Sequence, residues 1–157
     1  MCLRKFLKCN AFRKLGLFDL KTVLFVCVEN SFRSQIAEAY FNRYAPEGYT
    51  TVSAGLIPAQ RVHPNAVQLM LEEGISIDHK KPQAMTRELQ ENAEVAIIVC
   101  GGDESSSSCP VVYAKHTEQW NIPDPAKMSL EEARKIRDII KKKVLDLIQR
   151  LSQQKSL

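Results

Sequence analysis

Thr22–Val26 is an unbroken apolar run dominated by β-branched and aromatic residues. It leads through one short loop into Ser34–Tyr44, where Ile36, Ala37, Tyr40 and Phe41 recur at helical spacing. A strand that is apolar at successive positions, rather than at alternate ones, has to be buried on both faces. A strand of that kind feeding directly into a helix is the opening half of a βαβ unit. The chain then repeats the alternation. Tyr49–Ser53 reads as a second strand and His63–Glu73 as a helix, with Pro64 in its first turn and Gly74 at its stop. In that helix Val67, Leu69, Met70 and Leu71 are expected to face inward. Thr86–Glu91 reads as a short helix, Glu94–Val99 as a third strand and Lys115–Trp120 as a short fourth. Ser129 and Glu132 form a capping box that opens a long final helix, with Ala133, Ile136, Ile139, Ile140, Leu147 and Leu151 as its apolar stripe. Strands alternating with helices imply right-handed crossovers. The expected fold is a three-layer α/β domain with a four-stranded parallel sheet.

At 157 residues and 45% hydrophobic composition the chain is one domain, long enough to bury a core without a disulfide or a metal. Its apolar content excludes intrinsic disorder. The run Val23–Val28 is far too short to span a membrane. The charge is unevenly placed. Residues 1–20 carry Arg4, Lys5, Lys8, Arg13 and Lys14 against Asp19 alone, which accounts for the whole net charge of +4. The remaining body, residues 21–157, is balanced, and nothing in it points to nucleic acid or to a membrane surface. Residues 1–20 read as a basic extension: a frayed lead, or a short amphipathic helix built on Leu3, Phe6, Leu7, Phe12 and Leu15. The cysteines are odd in number: Cys2, Cys9, Cys27, Cys100 and Cys109. With no secretory signal in view they read as thiols of a cytoplasmic protein, available for catalytic or redox work.

Ligands of such sheets bind at the carboxyl ends of the strands, so the loop after the first strand is the first place to look. Between Cys27 and Arg33 stand Val28, Glu29, Asn30, Ser31 and Phe32, and Ser34 then opens the helix. A loop that wraps just ahead of a helix N-terminus turns its backbone N–H groups inward, a nest for a tetrahedral oxyanion that the helix dipole reinforces. Arg33 can clamp two oxyanion oxygens with its planar fork. Cys27 sits in the same positive field, which favours its thiolate, and Ser34 can donate to the sulfur. Asn30 can brace the loop. On a facing loop, Asp124 stands between Pro123 and Pro125, where a carboxyl can protonate a leaving oxygen. An Asp-Pro pair also opens turns, and the two readings are compatible.

The segment Val26–Ala39 resembles the signature loop of the low-molecular-weight protein tyrosine phosphatase superfamily, and is most like its thioredoxin-coupled arsenate reductase branch. Ser53-Ala54-Gly55 and Trp120–Ala126 fit the same family, and the resemblance covers about residues 22–150. It implies Cys27 as nucleophile, Arg33 as oxyanion clamp and Asp124 as general acid. It also implies cysteines at the positions of Cys100 and Cys109, with Pro110 after the second. The implied reaction is a thiol–disulfide relay. Cys27 attacks arsenate, Cys100 resolves the adduct and releases arsenite, and Cys109 draws the disulfide out to Cys100–Cys109 for thioredoxin or a similar dithiol protein to reduce.

The chain departs from that pattern in places. The loop between Cys100 and Cys109 is longer by about two residues, a small entropic cost. Phe32 stands where cysteine is common. Ala126 follows the Asp-Pro pair where phosphatases carry an aromatic residue. The resemblance raises a potassium ion beside the loop, with Asn30, Glu38 and Ser53 at three ligand positions and no acidic residue at the remaining one. No cofactor and no metal is expected. A zinc reading of Cys100, Cys109 and His116 fits no familiar spacing. The alternative function is a low-molecular-weight phosphatase that hydrolyses phosphotyrosine or aryl phosphates through a Cys27 phosphoenzyme. A third, non-enzymatic reading is an oxyanion-binding module with a redox-sensitive thiol pair.

Overall fold

The computed structural model describes residues 19–101 and 109–154. Most of the basic extension, and nearly all of the polar loop expected over Gly101–Ser108, lie outside the described residues. The elements run β1 (Lys21–Cys27), α1 (Arg33–Tyr44), β2 (Tyr49–Gly55), α2 (Pro64–Leu71), α3 (Arg87–Asn92), β3 (Ala93–Ile98), β4 (His116–Gln119) and α4 (Leu130–Gln154). The sheet is parallel throughout, in the order β2-β1-β3-β4. The chain leaves β1 for one neighbour and later returns to the other. The carboxyl end of β1 is therefore the point where strand order reverses, the place where ligands of open α/β sheets bind.

β1 is buried on both faces, as its composition requires. Val23, Phe25 and Cys27 enter a large core with Ile36, Tyr40 and Phe41 of α1, Leu69 and Met70 of α2, and Ile140, Val144 and Leu147 of α4. Leu24 and Val26 enter a smaller core with Ala54, Ala93, Ala96 and Val112, covered in part by Met85 and by Leu89 of α3. The three layers are thus unequal: among the described residues, short α3 is the only helix packed over the smaller core. Among the described residues no helix is long and apolar enough to cross a membrane.

The helix starts follow local chemistry. Thr86 Oγ1 accepts the Leu89 N–H at 3.1 Å and caps α3. The Ser129–Glu132 capping box closes both ways, at 3.2 Å into Ser129 Oγ and 3.0 Å into Glu132 Oε2. Two expected core residues lie outside. Leu71 is 57% exposed and Ile139 45%. Each is one position, about 100° of helix rotation, from a residue that is inward, Met70 and Ile140. The stripe of α4 runs instead through Val144, and through Arg137, whose guanidinium donates to the Leu69 carbonyl at 3.1 Å and to Glu72 at 2.8 Å. An arginine thus fastens α2 to α4 from within the buried stripe.

Candidate active site

β1 delivers Cys27, 3% exposed, to the edge of the sheet. The loop beyond it is shaped by where its carbonyls go. Those of Cys27, Val28, Glu29 and Ser31 accept the N–H groups of Leu56, Ile57, Ala59 and His63, at 3.3, 2.8, 2.9 and 2.8 Å. The Asn30 carbonyl accepts from Gln35 Nε2 at 3.0 Å. In a planar trans peptide the following N–H points opposite to the carbonyl. Carbonyls turned out toward residues 56–63 therefore turn the loop's N–H groups in, toward the sulfur. The Asn30 N–H does donate to Cys27 Sγ, at 3.2 Å. The first turn of α1 has no side-chain cap and no acidic residue, so its N–H groups and dipole add to the same positive concavity.

Asn30 is the pivot. It is the one non-glycine residue with positive φ among the described residues, at 52°, a conformation asparagine tolerates. Its side chain is fully buried, and the amide orientation is settled by its oxygen, which accepts the Gln83 N–H at 3.0 Å and Gln35 Nε2 at 3.2 Å. Both N–H bonds of Nδ2 are then committed, one to Ser34 Oγ at 2.8 Å and one to Ser53 Oγ at 2.9 Å. Ser34 Oγ accepts from Asn30, so its own hydrogen is free to donate to Cys27 Sγ, 2.9 Å away. Ser53 accepts from Asn30 in the same way and donates its hydrogen to Glu38 Oε2.

The loop is laid directly on the end of β2. A Cβ on Gly55 would stand 2.8 Å from both the Asn30 nitrogen and the Val28 oxygen. Glycine in Ser53-Ala54-Gly55 is thus a requirement of close approach.

Arg33 is buried, and Nη1 donates to the Ile122 carbonyl at 2.7 Å. This ties the loop to the segment that carries Asp124. Trp120 and Ile122 anchor that segment in the core, with the Trp120 ring 5.9 Å from Phe25. Trp120 is a packing residue here. Asp124 is exposed, and its Oδ1 accepts the Ala126 N–H at 3.1 Å. The turn reading of Asp-Pro therefore holds in the structure. Phe32 is buried against the His63 ring, 5.0 Å between centroids, and His63 Nδ1 caps α2 by accepting the Asn65 N–H.

Val99 N–H donates to the Val26 carbonyl at 2.8 Å, which holds the end of β3 beside the end of β1. Cys100 follows at once, 2% exposed, on the same sheet edge as Cys27. It is disulfide-bonded to Cys109, with Cα atoms 6.1 Å apart, inside the usual range for a bridge. Cys109 is the less buried partner, and Cys27 is a free thiol. The disulfide takes up two of the three residues of the zinc reading.

The residues raised for potassium do not fit a metal ion in this arrangement. Glu38 is buried, with Ser53 on one oxygen and the Lys80 ammonium on the other at 2.6 Å. Asn30 presents donors to Ser53, while its oxygen is turned to Gln83 and Gln35. A side-chain cation already holds the carboxylate. Lys80, Gln83 and the Ile122 carbonyl are the parts of the site that sequence reasoning missed. Lys80 lies in an Asp-His-Lys-Lys run that reads as solvated surface, and a backbone carbonyl leaves no sequence signal.

Known proteins share this fold. The family model for low molecular weight phosphotyrosine protein phosphatase matches residues 22–157. An arsenate reductase of Bacillus licheniformis is 35% identical over 117 residues, 73% of this chain and 81% of that protein. A solved arsenate reductase in the phosphate binding state superposes with a TM-score of 0.70 at 32% identity, covering 83% of this chain and 98% of that one. A thioredoxin-dependent arsenate reductase of Corynebacterium glutamicum superposes with a TM-score of 0.69 at 28% identity, covering 86% of this chain and 63% of that one. The match runs from β1 through the last helix and takes in the whole of the cysteine loop: the chain belongs to the low molecular weight phosphotyrosine protein phosphatase family.

Proposed function

We propose that this chain reduces arsenate to arsenite through Cys27, Cys100 and Cys109, with a thioredoxin-type dithiol protein as reductant. The observation that carries the reading is the Cys100–Cys109 disulfide on the sheet edge that also bears the free Cys27 thiol. Hydrolysis through Cys27, Arg33 and Asp124 calls on no second thiol. Relatives named arsenate reductase and a solved relative described as thioredoxin-dependent support the same assignment.

The loop N–H groups of residues 28–32 and Arg33 hold the oxyanion over Cys27 Sγ. The thiolate attacks As(V), an S–As bond forms, and the departing oxygen takes a proton from Asp124 and leaves as water. Cys100 thiolate then attacks Cys27 Sγ. An S–S bond forms, the S–As bond breaks, and its electron pair stays on arsenic, which departs as As(III). Cys109 attacks Cys100, Cys27 leaves as thiolate, and the Cys100–Cys109 disulfide remains. Cys109, the less buried sulfur, is the one an external dithiol reaches. A reductant of this class places the reaction in the cytoplasm.

The test is arsenate-dependent NADPH consumption through thioredoxin reductase and thioredoxin. The wild type should turn over many times and Cys109→Ser should stall. The phosphatase reading uses the same Cys27, Arg33 and Asp124, but Ala126 offers no aromatic ring beside the acid. Steady hydrolysis of an aryl phosphate, with no arsenate-dependent oxidation, would select it and overturn the proposal.

A further inference from the structure

The geometry points to Lys80 as a positioning residue: its ammonium, held on buried Glu38, sets the direction of the hydrogen-bonded line that ends on the nucleophilic sulfur of Cys27. This inference rests on one part of the proposed function, that Cys27 is the nucleophile of the oxyanion loop. It does not depend on arsenate as substrate.

The line is continuous. Lys80 Nζ donates to Glu38 Oε1 at 2.6 Å, and Ser53 Oγ donates to Glu38 Oε2. Ser53 accepts from Asn30 Nδ2 at 2.9 Å, Asn30 Nδ2 donates to Ser34 Oγ at 2.8 Å, and Ser34 Oγ lies 2.9 Å from Cys27 Sγ with its own hydrogen free to donate there. Two of its members are hydroxyls, which accept or donate according to their neighbours. Their direction is imposed from the ends. Gln83 and Gln35 fix the Asn30 amide, and an ionised Glu38 forces Ser53 to donate toward it. Glu38 is buried, its side chain 7% exposed, and its cation is Lys80, whose side chain is 33% exposed and reaches in from the segment after α2.

A buried carboxylate stripped of its cation turns toward another donor. Ser53 Oγ then loses the acceptor that fixes its hydrogen. That hydrogen is free to swing toward Asn30 Nδ2, which is also a donor. Two donors facing each other push Asn30 from its place, and Ser34 loses the bond that leaves its own hydrogen free for the sulfur. The charge on Lys80 thus reaches Cys27 through bond direction, with no contact between the two residues.

The readout is the rate constant for iodoacetamide alkylation of reduced full-length protein at pH 7, followed on the Cys27 peptide by mass spectrometry. Lys80→Met should lower it about tenfold, the equivalent of one well-formed hydrogen bond to the sulfur. Lys80→Arg should recover most of that rate. Ammonium chloride should restore part of the rate in Lys80→Met, and choline chloride at the same ionic strength should not. Lys81→Met removes the same charge from the exposed neighbour and should leave alkylation unchanged, which separates the line from a general field effect. Should Lys80→Met fold poorly by thermal melting, Lys80→Gln keeps a donor without the charge and provides the same comparison.

Wild-type alkylation in the folded Lys80→Met or Lys80→Gln protein would overturn the proposal. A loss that neither arginine nor ammonium repairs would also overturn it, since that is the behaviour of a structural contact. Alkylation does not require arsenate turnover, so failure of the reductase assignment leaves this test standing.

Discussion

Replacing Gly55 by alanine adds one methyl carbon at the end of β2, where the candidate loop lies flat against the strand. The added Cβ would stand 2.8 Å from the Asn30 nitrogen, 2.8 Å from the Val28 oxygen and 2.9 Å from the Glu29 carbonyl carbon. All three are backbone atoms, so no side-chain rotation relieves the contact. Ordinary contact begins at 3.4 Å, so the loop has to retreat by about 0.6 Å. Overpacking of this kind costs roughly 1–3 kcal/mol, and for a chain of this size each kcal/mol lowers Tm by about 2–4 °C. The functional loss should be the larger effect. The retreating atoms are those that aim N–H groups at the oxyanion, and a 1 Å misplacement at a reacting centre costs about a hundredfold. Calorimetric titration with phosphate and arsenate turnover should therefore both fall about tenfold or more. Alanine with wild-type phosphate affinity and unchanged Tm would refute the idea that the loop is built on contact with β2.

Further substitutions address the rest of the site. Asn30→Asp exchanges two donated N–H bonds for a carboxylate facing Ser34 and Ser53, so Cys27 alkylation should slow and thermal stability should drop; unchanged alkylation would argue against the bond direction assigned to Asn30. Arg33→Lys keeps the charge but loses the planar fork that serves both an oxyanion and the Ile122 carbonyl, so phosphate affinity should fall by about 1.5–3 kcal/mol in titration calorimetry. Glu72 is bound by Arg134 and Arg137, and the hydrogen bond from Arg134 is foremost in holding its carboxyl down at about 2. A carboxyl depressed in the folded state contributes stability that is present above its ordinary value near 4.5 and lost as pH falls toward 2. Thermal melts between pH 5 and pH 2 should show that loss, and Glu72→Gln should flatten it.

Much of this was legible in the chain because the governing physics is local. The Thr22–Val26 run could only be a strand buried on both faces, and β1 is central in the sheet. Cys27, Arg33 and Ser34 were readable because a nest at a helix N-terminus follows from the strand–loop–helix order alone. Asn30 was readable as a brace, although its four side-chain hydrogen bonds were not. What escaped was non-local. Lys80 reaches Glu38 across 42 positions of chain, and Arg33 reaches Ile122 across 89. Leu71 and Ile139 were misplaced because each sits beside a truly inward residue, and one step of helix rotation separates the two fates.

The central claim is that oxidation of the chain's own thiols is coupled to arsenic leaving as As(III). A single turnover of fully reduced protein with excess arsenate and no external reductant tests it directly. One arsenite should appear per chain, with loss of two thiols and a Cys100–Cys109 disulfide in the peptide map. No arsenite and no thiol loss, in protein that still hydrolyses an aryl phosphate, would contradict the account.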